Sequence, residues 1–206
     1  MNEQVKSVIA SISKWNSVKS DKTEVFSLWE KCSSFKIVLP IKSDCNKNFH
    51  IYFGVQKSNQ THSDTIVMHL IADNNDQPEL IKNFENADDY IFSAELGNLL
   101  NESAEIDEAE AMLRILAWQN PVILKEYLEK NPAFDVFTIG KDDFLVECGY
   151  SAYFGMKLDK EDLTSYIPDI IIQNYSRELT TSYYDLARIC PPYNAESIFG
   201  LQELSY

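Results

Sequence analysis

The feature that most restricts the fold of this chain is an order of sequence patterns that occurs once in each half. Apolar residues first recur every three or four positions, which is typical of a helix packed on a core. They then alternate with polar residues, which is typical of a half-buried strand. Val5, Val8, Ile12 and Trp15 show the first pattern, and the segment 49–55 shows the second. The sequence therefore predicts an α+β protein.

The first half contains two predicted helices and four predicted strands. The second helix begins after Asp21, because Glu24 three residues later completes a capping-box arrangement. We expect an antiparallel meander whose apolar face is covered by the helices and whose other face is polar and solvated. In the expected register Phe49 lies opposite Leu70. The predicted strands are Phe35–Ile41, Phe49–Val55, Ile66–Ala72 and Tyr90–Leu96.

The second half repeats this order. A helix is expected from Glu105 to Trp118, and Asn120 followed by Pro121 predicts the start of another. The residues expected to face inward on the first of these helices are Ala109, Met112, Leu113 and Leu116. The predicted strands are Phe134–Ile139, Tyr150–Leu158, Asp169–Asn174 and Ser182–Ala187. The third of them is favoured by its β-branched residues, although it could also open a C-terminal helix.

Short sequence matches link the halves in one order. The matching pairs are Trp15 with Trp118, Phe35 with Phe134, Tyr52-Phe53-Gly54 with Tyr153-Phe154-Gly155, and Asp64 with Asp169. Each match alone is weak, and two α+β segments that share an order by chance are the alternative. The succession favours an internal duplication. We therefore predict two repeat units, residues 1–100 and residues 101–206, each with two helices followed by a four-stranded antiparallel β-meander.

Composition excludes several classes of protein. The net charge of −14 argues against binding to nucleic acid or to an anionic membrane surface, and it is compatible with a basic protein partner. The start of the chain shows no signal-peptide pattern, and no apolar run is long enough to span a membrane. The four cysteines have no metal-binding spacing, so we expect no metal, reduced thiols and a cytoplasmic location. With six glycines and no phosphate-binding motif, we expect no cofactor.

The only candidate for catalytic chemistry is a group of residues on the first predicted sheet. His50 and His69 are expected to be neighbours on its polar face, with Ser93 beside His69 and Glu95 one step further. A serine and a histidine in contact could form a nucleophile and its base. A polar solvated face containing the same residues is the simpler interpretation.

Tyr52 and Tyr153 are the candidate binding residues, because each precedes a strand glycine in the same Tyr-x-Gly pattern. A glycine inside a strand marks a bulge or a close backbone approach. A shared role in the fold is the first explanation, and a ligand contact is the second.

From Ile106 to Pro192 the chain resembles a group of small bacterial proteins that have no assigned activity. The resemblance depends on Phe134, Lys141-Asp142-Asp143-Phe144-Leu145, Tyr153-Phe154-Gly155, Tyr184-Asp185 and Cys190-Pro191-Pro192. Those proteins often have a further cysteine shortly after Cys-Pro-Pro, where this chain has Tyr193-Asn194. The resemblance supports the predicted architecture and implies no activity, cofactor or partner.

Together these patterns predict a non-enzymatic binding or interaction protein of two related units. The alternative is a small hydrolase-like enzyme that uses the His50, His69 and Ser93 group.

Overall fold

The computed structural model of the chain describes residues 1–30, 34–37, 39, 48–58, 62–95, 108–131, 133, 136–139, 149–159, 162, 164–175, 181–184, 188–190 and 199–206. Its helices are α1 (Glu3–Val18), α2 (Lys22–Trp29), α3 (Pro78–Ile81), α4 (Glu108–Gln119), α5 (Pro121–Lys130) and α6 (Gly200–Leu204). Its strands are β1 (Ser34–Ile37), β2 (Phe49–Lys57), β3 (Asp64–Ala72), β4 (Ile91–Glu95), β5 (Val136–Ile139), β6 (Gly149–Leu158), β7 (Tyr166–Tyr175), β8 (Thr181–Tyr184) and β9 (Arg188–Cys190). Mixed helices and antiparallel sheets confirm the α+β class.

The predicted helix starts are confirmed by their caps. The Asp21 side chain accepts hydrogen bonds from the backbone N–H groups of Thr23 and Glu24. The Asn120 side chain accepts one from the N–H of Val122, and Pro121 occupies the first turn of α5. These caps satisfy N–H groups that have no partner inside the helix.

The strands form two antiparallel sheets, and neither sheet is made from one half alone. The five-stranded sheet has the order β4-β3-β2-β5-β9, and the four-stranded sheet has the order β1-β6-β7-β8. Thus β1 lies beside β6, and β5 lies beside β2. The predicted meander within each half is therefore wrong at its first strand, because that strand pairs with the sheet of the other half.

The two crossed pairings have the same register. Phe35 lies opposite Ala152 on β6, while Phe137 lies opposite Ile51 on β2. Tyr153 pairs with the first residue of β1, and Tyr52 pairs with Val136, the first residue of β5. Phe137 thus has the same register position on β5 as Phe35 has on β1, while Phe134, which the sequence match paired with Phe35, lies outside the described residues.

The pairing of β2 with β3 differs from the predicted register by two residues. Phe49 lies opposite Ala72 instead of Leu70. Because side chains alternate between faces with a period of two, this shift keeps every side chain on its predicted face. His69 lies opposite Tyr52 on one side and opposite Ser93 on the other, and the second pairing is as predicted.

One core lies between the two sheets and takes side chains from both halves. Its centre is aromatic: the ring of Trp118 lies 5.0 Å from that of Trp29 and 4.6 Å from that of Phe154, and Phe53 lies 5.9 Å from Phe154. Helices α2 and α5 complete it with Val25, Leu28, Leu124 and Leu128. Such rings bury a large apolar area at the contact between the halves.

The second face of each sheet is also covered, which contradicts the expectation of a solvated polar face. Helix α1 packs on β2, and α6 lies beside it with Phe199 and Leu201 in the same apolar cluster. Helix α4 packs on β6, where Ala111 and Ile115 contact Tyr153 and Ile171. Period-two alternation alone does not reveal whether a helix covers the polar side.

Helix α4 buries a different face from the predicted one. Ala111, Ile115 and Trp118 are buried, whereas Ala109, Met112, Leu113 and Leu116 are exposed. Both sets have helical spacing, so the sequence did not distinguish between them. The buried set contains the only tryptophan of the helix, which fills the central aromatic core.

The predicted strand Asp169–Asn174, for which a C-terminal helix was the alternative, forms part of strand β7. Pro168 lies within it opposite Met156, and β8 pairs only with positions 172–175. Among the described residues, the proline therefore pairs with a strand on one side only, which fits its missing N–H donor.

Candidate functional site

The predicted polar residues of the first sheet lie together on the face that α1 covers. His50 and His69 are 6% and 2% exposed, and Tyr52 is fully buried. Ser93, on the edge strand β4, is exposed. The predicted cross-strand pairing of His50 with His69 is wrong, because the register places His50 opposite Ile71 and His69 opposite Tyr52. The predicted residues share one face beneath a helix, with Ser93 at the surface. The side chain of Glu95 lies outside the described part of the chain.

His69 bridges two serine hydroxyls. Its Nε2 lies 2.7 Å from Ser11 Oγ, and its Nδ1 lies 2.7 Å from Ser93 Oγ. Ser11 donates its only hydroxyl hydrogen to the carbonyl of Val8, at 2.7 Å. Ser11 must then accept from Nε2–H, which leaves Nδ1 as the acceptor for the hydroxyl of Ser93. The geometry thus assigns one neutral tautomer to His69 and directs its lone pair at Ser93.

Gly54 allows α1 to approach this close. A Cβ atom at position 54 would lie 2.9 Å from Ser11 Cβ and 3.0 Å from His69 Nε2. Any larger residue would push the helix away from the sheet and separate Ser11 from His69. This explains the strand glycine by a close backbone approach, which was the first of the two explanations considered for it.

Burial sets the protonation state of His69. The imidazole is enclosed by apolar groups and hydroxyls, and its pKa falls to about 3 because burial disfavours the charged form. His69 is therefore neutral at physiological pH. A base with so low a pKa accepts a proton from a serine poorly, since general-base catalysis is most efficient when the pKa lies near the working pH.

A second polar cluster surrounds Asp76, which is fully buried. One carboxylate oxygen accepts hydrogen bonds from His50 Nδ1, at 2.6 Å, and from the hydroxyl of Tyr52. The other oxygen accepts from the backbone N–H of Leu201 in α6, at 3.0 Å. Three donors thus satisfy a carboxylate that burial would otherwise penalise.

The C-terminal segment closes over this cluster. The ring of Phe199 lies 4.8 Å from that of His50. The Gly200 N–H donates to the carbonyl of Asp76, at 3.3 Å, and a Cβ at position 200 would lie 2.8 Å from the backbone of Asp76. His50 and Tyr52 are therefore internal hydrogen-bond donors here.

The corresponding place in the second half has different residues. Gly155 again lies beneath the helix, where the neighbour is Arg114, whose Cβ would lie 3.2 Å from an added Cβ. Arg114 forms an ion pair with the fully buried Asp169, at 2.8 Å. Tyr153 is 8% exposed and donates to Gln173, at 2.8 Å. Both candidate binding tyrosines are thus placed inside, with internal acceptors.

The register relates two further positions of the halves. Ile171 lies opposite Tyr153 as His69 lies opposite Tyr52, so Ile171 takes the position of His69 in the second half. Asp169 lies opposite Gly155 as Val67 lies opposite Gly54, so its counterpart is Val67, not Asp64.

A concave region of the described surface lies away from both histidines. It is an open notch in the surface. The residues that line it are Ile123, Glu126, Tyr127, Lys130, Asn131, Thr164, Ser165 and Tyr166. Burial raises the pKa of Tyr127 to about 12, so its hydroxyl stays protonated.

Two further searches covered the described residues. They contain no group of three His, Cys, Asp or Glu side chains that could hold a metal ion. None of the described helices has the length and apolar character needed to cross a membrane.

Sequence reasoning missed Ser11 and Asp76. Ser11 had a signal, because it stands within the buried stripe formed by Val8, Ile12 and Trp15. A small polar residue in such a stripe needs a partner across the interface. Asp76 follows a single 3-10 turn and had no local signal.

Comparison with protein-family models, with curated proteins and with solved structures finds no match for this chain.

Proposed function

We propose that the protein is a non-enzymatic binding protein, and that it binds a protein partner through the exposed apolar face of α4. This face, called the α4 face below, consists of Ala109, Met112, Leu113 and Leu116. The observation that supports the proposal is the exposure of its three large side chains: Met112 is 40%, Leu113 68% and Leu116 53% exposed. Neighbouring apolar side chains exposed on one helix are typical of an interaction surface.

The proposal includes two related units that exchange their first strands. It is supported by the identical registers of the β1–β6 and β5–β2 pairs, and by the paired glycines Gly54 and Gly155 beneath α1 and α4. In this arrangement the first half supplies β1 to the four-stranded sheet, and the second half supplies β5 and β9 to the five-stranded sheet. The two units then form a rigid scaffold, and the α4 face remains exposed for a partner.

The buried polar clusters support a structural role for the histidines. His50 is hydrogen-bonded to Asp76 and covered by Phe199. His69 is neutral and hydrogen-bonded to Ser11 and Ser93. These groups are satisfied internally, as polar groups in a stable interior are. A binding scaffold requires a stable interior of this kind and requires no reactive group.

A hydrolase-like activity is the second candidate, and one observation favours it. The exposed Ser93 donates its hydroxyl to His69, which is the geometry of a nucleophile and its base. The low pKa of His69 weighs against it. A fluorophosphonate reagent that labels the native protein but not the Ser93→Ala variant would favour this second candidate.

The binding function is tested with a photo-crosslinking amino acid placed at Leu113 in the full chain. In a lysate of cells that express the protein, we expect one defined protein to be crosslinked and identified by mass spectrometry. The purified partner must then bind the native protein and lose affinity for the Leu113→Ser/Leu116→Ser variant. The same crosslinker at Leu80, which is 44% exposed on α3, is the matched control. Equal capture from both positions would contradict the proposal.

A further inference from the structure

The flank of α1 that corresponds to the α4 face is partly covered by another helix. Ser11 and Arg114 each lie over the glycine of their central strand, and four residues later Trp15 and Trp118 enter the aromatic core. The two helices therefore match position by position. Ser13 and Leu116 are corresponding positions two residues beyond that contact.

Helix α6 packs along this flank of α1. The Ser13 hydroxyl donates to the carbonyl of Ser205, at 2.7 Å, and the Asn16 side chain donates to the hydroxyl of Ser205, at 3.0 Å. Ile9, which corresponds to Met112, is partly buried against the cluster that contains Phe199 and Leu201. In one half of the molecule, a short helix thus covers the positions of Ile9 and Ser13, which correspond to Met112 and Leu116, while Ala10, which corresponds to Leu113, stays exposed.

The chemistry of the two flanks differs, and this difference specifies the occupant of the second one. On α1 the contact positions Ser13 and Asn16 bind α6 through hydrogen bonds. On α4 the position of Ser13 is taken by Leu116, next to Met112 and Leu113, and these side chains offer no hydrogen bond. An occupant of the α4 face must therefore contribute apolar side chains, at the helical spacing that matches the face.

Charge decides between a second copy and another protein. The chain has a net charge of −14. Arg114, a basic residue of α4, is already paired with Glu110 and Asp169. Two copies that met through this face would bring like charges together, whereas a basic segment would be attracted.

We propose that the α4 face binds a basic amphipathic helix of another protein, along α4 as α6 lies along α1. This inference rests on the proposed binding function and names the class of its partner. The apolar side of the bound helix contacts Met112, Leu113 and Leu116, while its lysine or arginine side chains complement the net negative charge of the chain.

The test uses the full chain and a defined peptide. The probe is a fluorescent Leu/Lys peptide with leucines on one face, roughly 18 residues or five helical turns long. A scrambled peptide of the same composition measures charge attraction alone. Anisotropy titrations give the Kd of each, and we expect the amphipathic peptide to bind at least about tenfold more tightly.

Charge-neutral variants locate the binding site. The Leu113→Ser/Leu116→Ser protein should bind the amphipathic peptide about tenfold or more weakly, because two buried leucines are lost from the contact. The matched control is Leu80→Ser/Leu158→Ser, which changes two leucines that are 44% and 49% exposed elsewhere. Its Kd should remain within about twofold of the native value, a difference small on the free-energy scale of binding.

Three results would overturn this inference. Equal affinity of both variants would show that general charge attraction explains the binding. A native dimer in sedimentation, dissociated by the Leu113→Ser/Leu116→Ser change, would identify a second copy as the occupant. If no peptide binds but a partner is crosslinked only at Leu113, the basic helix is refuted and the binding function stands. If no peptide binds and no partner is crosslinked at Leu113, the binding function is refuted as well.

Discussion

The two helix–sheet contacts, α1 on β2 and α4 on β6, have the same backbone arrangement and different chemistry. In both, a glycine of the central strand lets the helix approach closely. In the first the polar contact is Ser11 with the neutral His69, and in the second it is Arg114 with Asp169. The arrangement of the backbone thus tolerates either a neutral hydrogen-bonded pair or a buried ion pair at one position.

The comparison also shows that polar residues in a helix–sheet contact need not mark a functional site. The first contact contains the residues that suggested catalysis, yet it is closed by α1 and α6. The second contact has no histidine, yet its helix presents the exposed apolar face. The half with the more suggestive polar residues is therefore the more enclosed one, and the candidate interaction surface lies in the other half.

The largest expected effect comes from the ion pair of the second contact. Asp169 is fully buried and the Arg114 side chain is 14% exposed, so Arg114→Ser leaves a buried carboxylate whose closest remaining cation is Lys157, at 3.5 Å. We expect the free energy of unfolding to fall by about 3 kcal/mol in urea denaturation.

A double substitution gives the second contact the residues of the first contact. Arg114→Ser/Asp169→Val introduces the residues found at the corresponding positions of the first half, Ser11 and Val67. We expect the double variant to regain most of the lost stability, because replacing both members of a buried ion pair by uncharged residues is often neutral. A double variant less stable than the single one would contradict the correspondence.

Substitution of the two strand glycines by alanine should give the next largest loss of stability, and the loss should differ between the two positions. At Gly54 an added Cβ meets Ser11 Cβ at 2.9 Å, on a helix held by its own packing. At Gly155 the closest atom is the flexible end of Ile171, at 3.0 Å. Gly54→Ala should therefore cost about 2–3 kcal/mol of unfolding free energy and Gly155→Ala about 1 kcal/mol or less.

A double-mutant cycle assigns the cost at Gly54 to the helix contact. In a Ser11→Gly background the space above residue 54 is open, so Gly54→Ala should cost clearly less than in the native protein. Thermal or urea denaturation of the four proteins gives the coupling energy. Equal costs in both backgrounds would show that the clash lies elsewhere.

Much of the fold could be predicted from local patterns. The caps at Asp21 and Asn120, the strands β2, β3 and β6, and the pairing of His69 with Ser93 depend on short stretches of sequence whose physical signals are direct. The exchange of β1 and β5 could not be predicted in this way. Both first strands alternate suitably for either sheet, and the choice between them depends on long-range geometry.

The candidate site was only partly predictable for the same reason. His69 and Ser93 were placed together because register follows from alternation. Asp76 and α6 come from distant segments, so the enclosure of His50 had no local signal. On α4 two apolar stripes competed, and the wrong one was chosen because spacing alone does not show which stripe meets the core.

The last expected effect is a pH dependence of stability that arises from His69 in the first contact. The pKa of His69 is about 3 in the folded protein, below the value of about 6.5 expected when unfolded. The unfolded state therefore binds the proton more readily, and stability is lost as the pH falls below 6.5 toward 3. From pH 7 to pH 5 this histidine should reduce the free energy of unfolding by about 2 kcal/mol.

The control for this effect is His69→Gln, which removes the titrating group and keeps a side chain that can form hydrogen bonds. Urea denaturation of both proteins at several pH values gives two slopes, and their difference isolates His69 from the other titrating groups. Ile171 at the corresponding place in the second half cannot titrate, so the difference belongs to the first contact alone. Parallel slopes would mean that His69 is as accessible to protons when folded as when unfolded, and the enclosed interface between α1 and the first sheet would then be wrong.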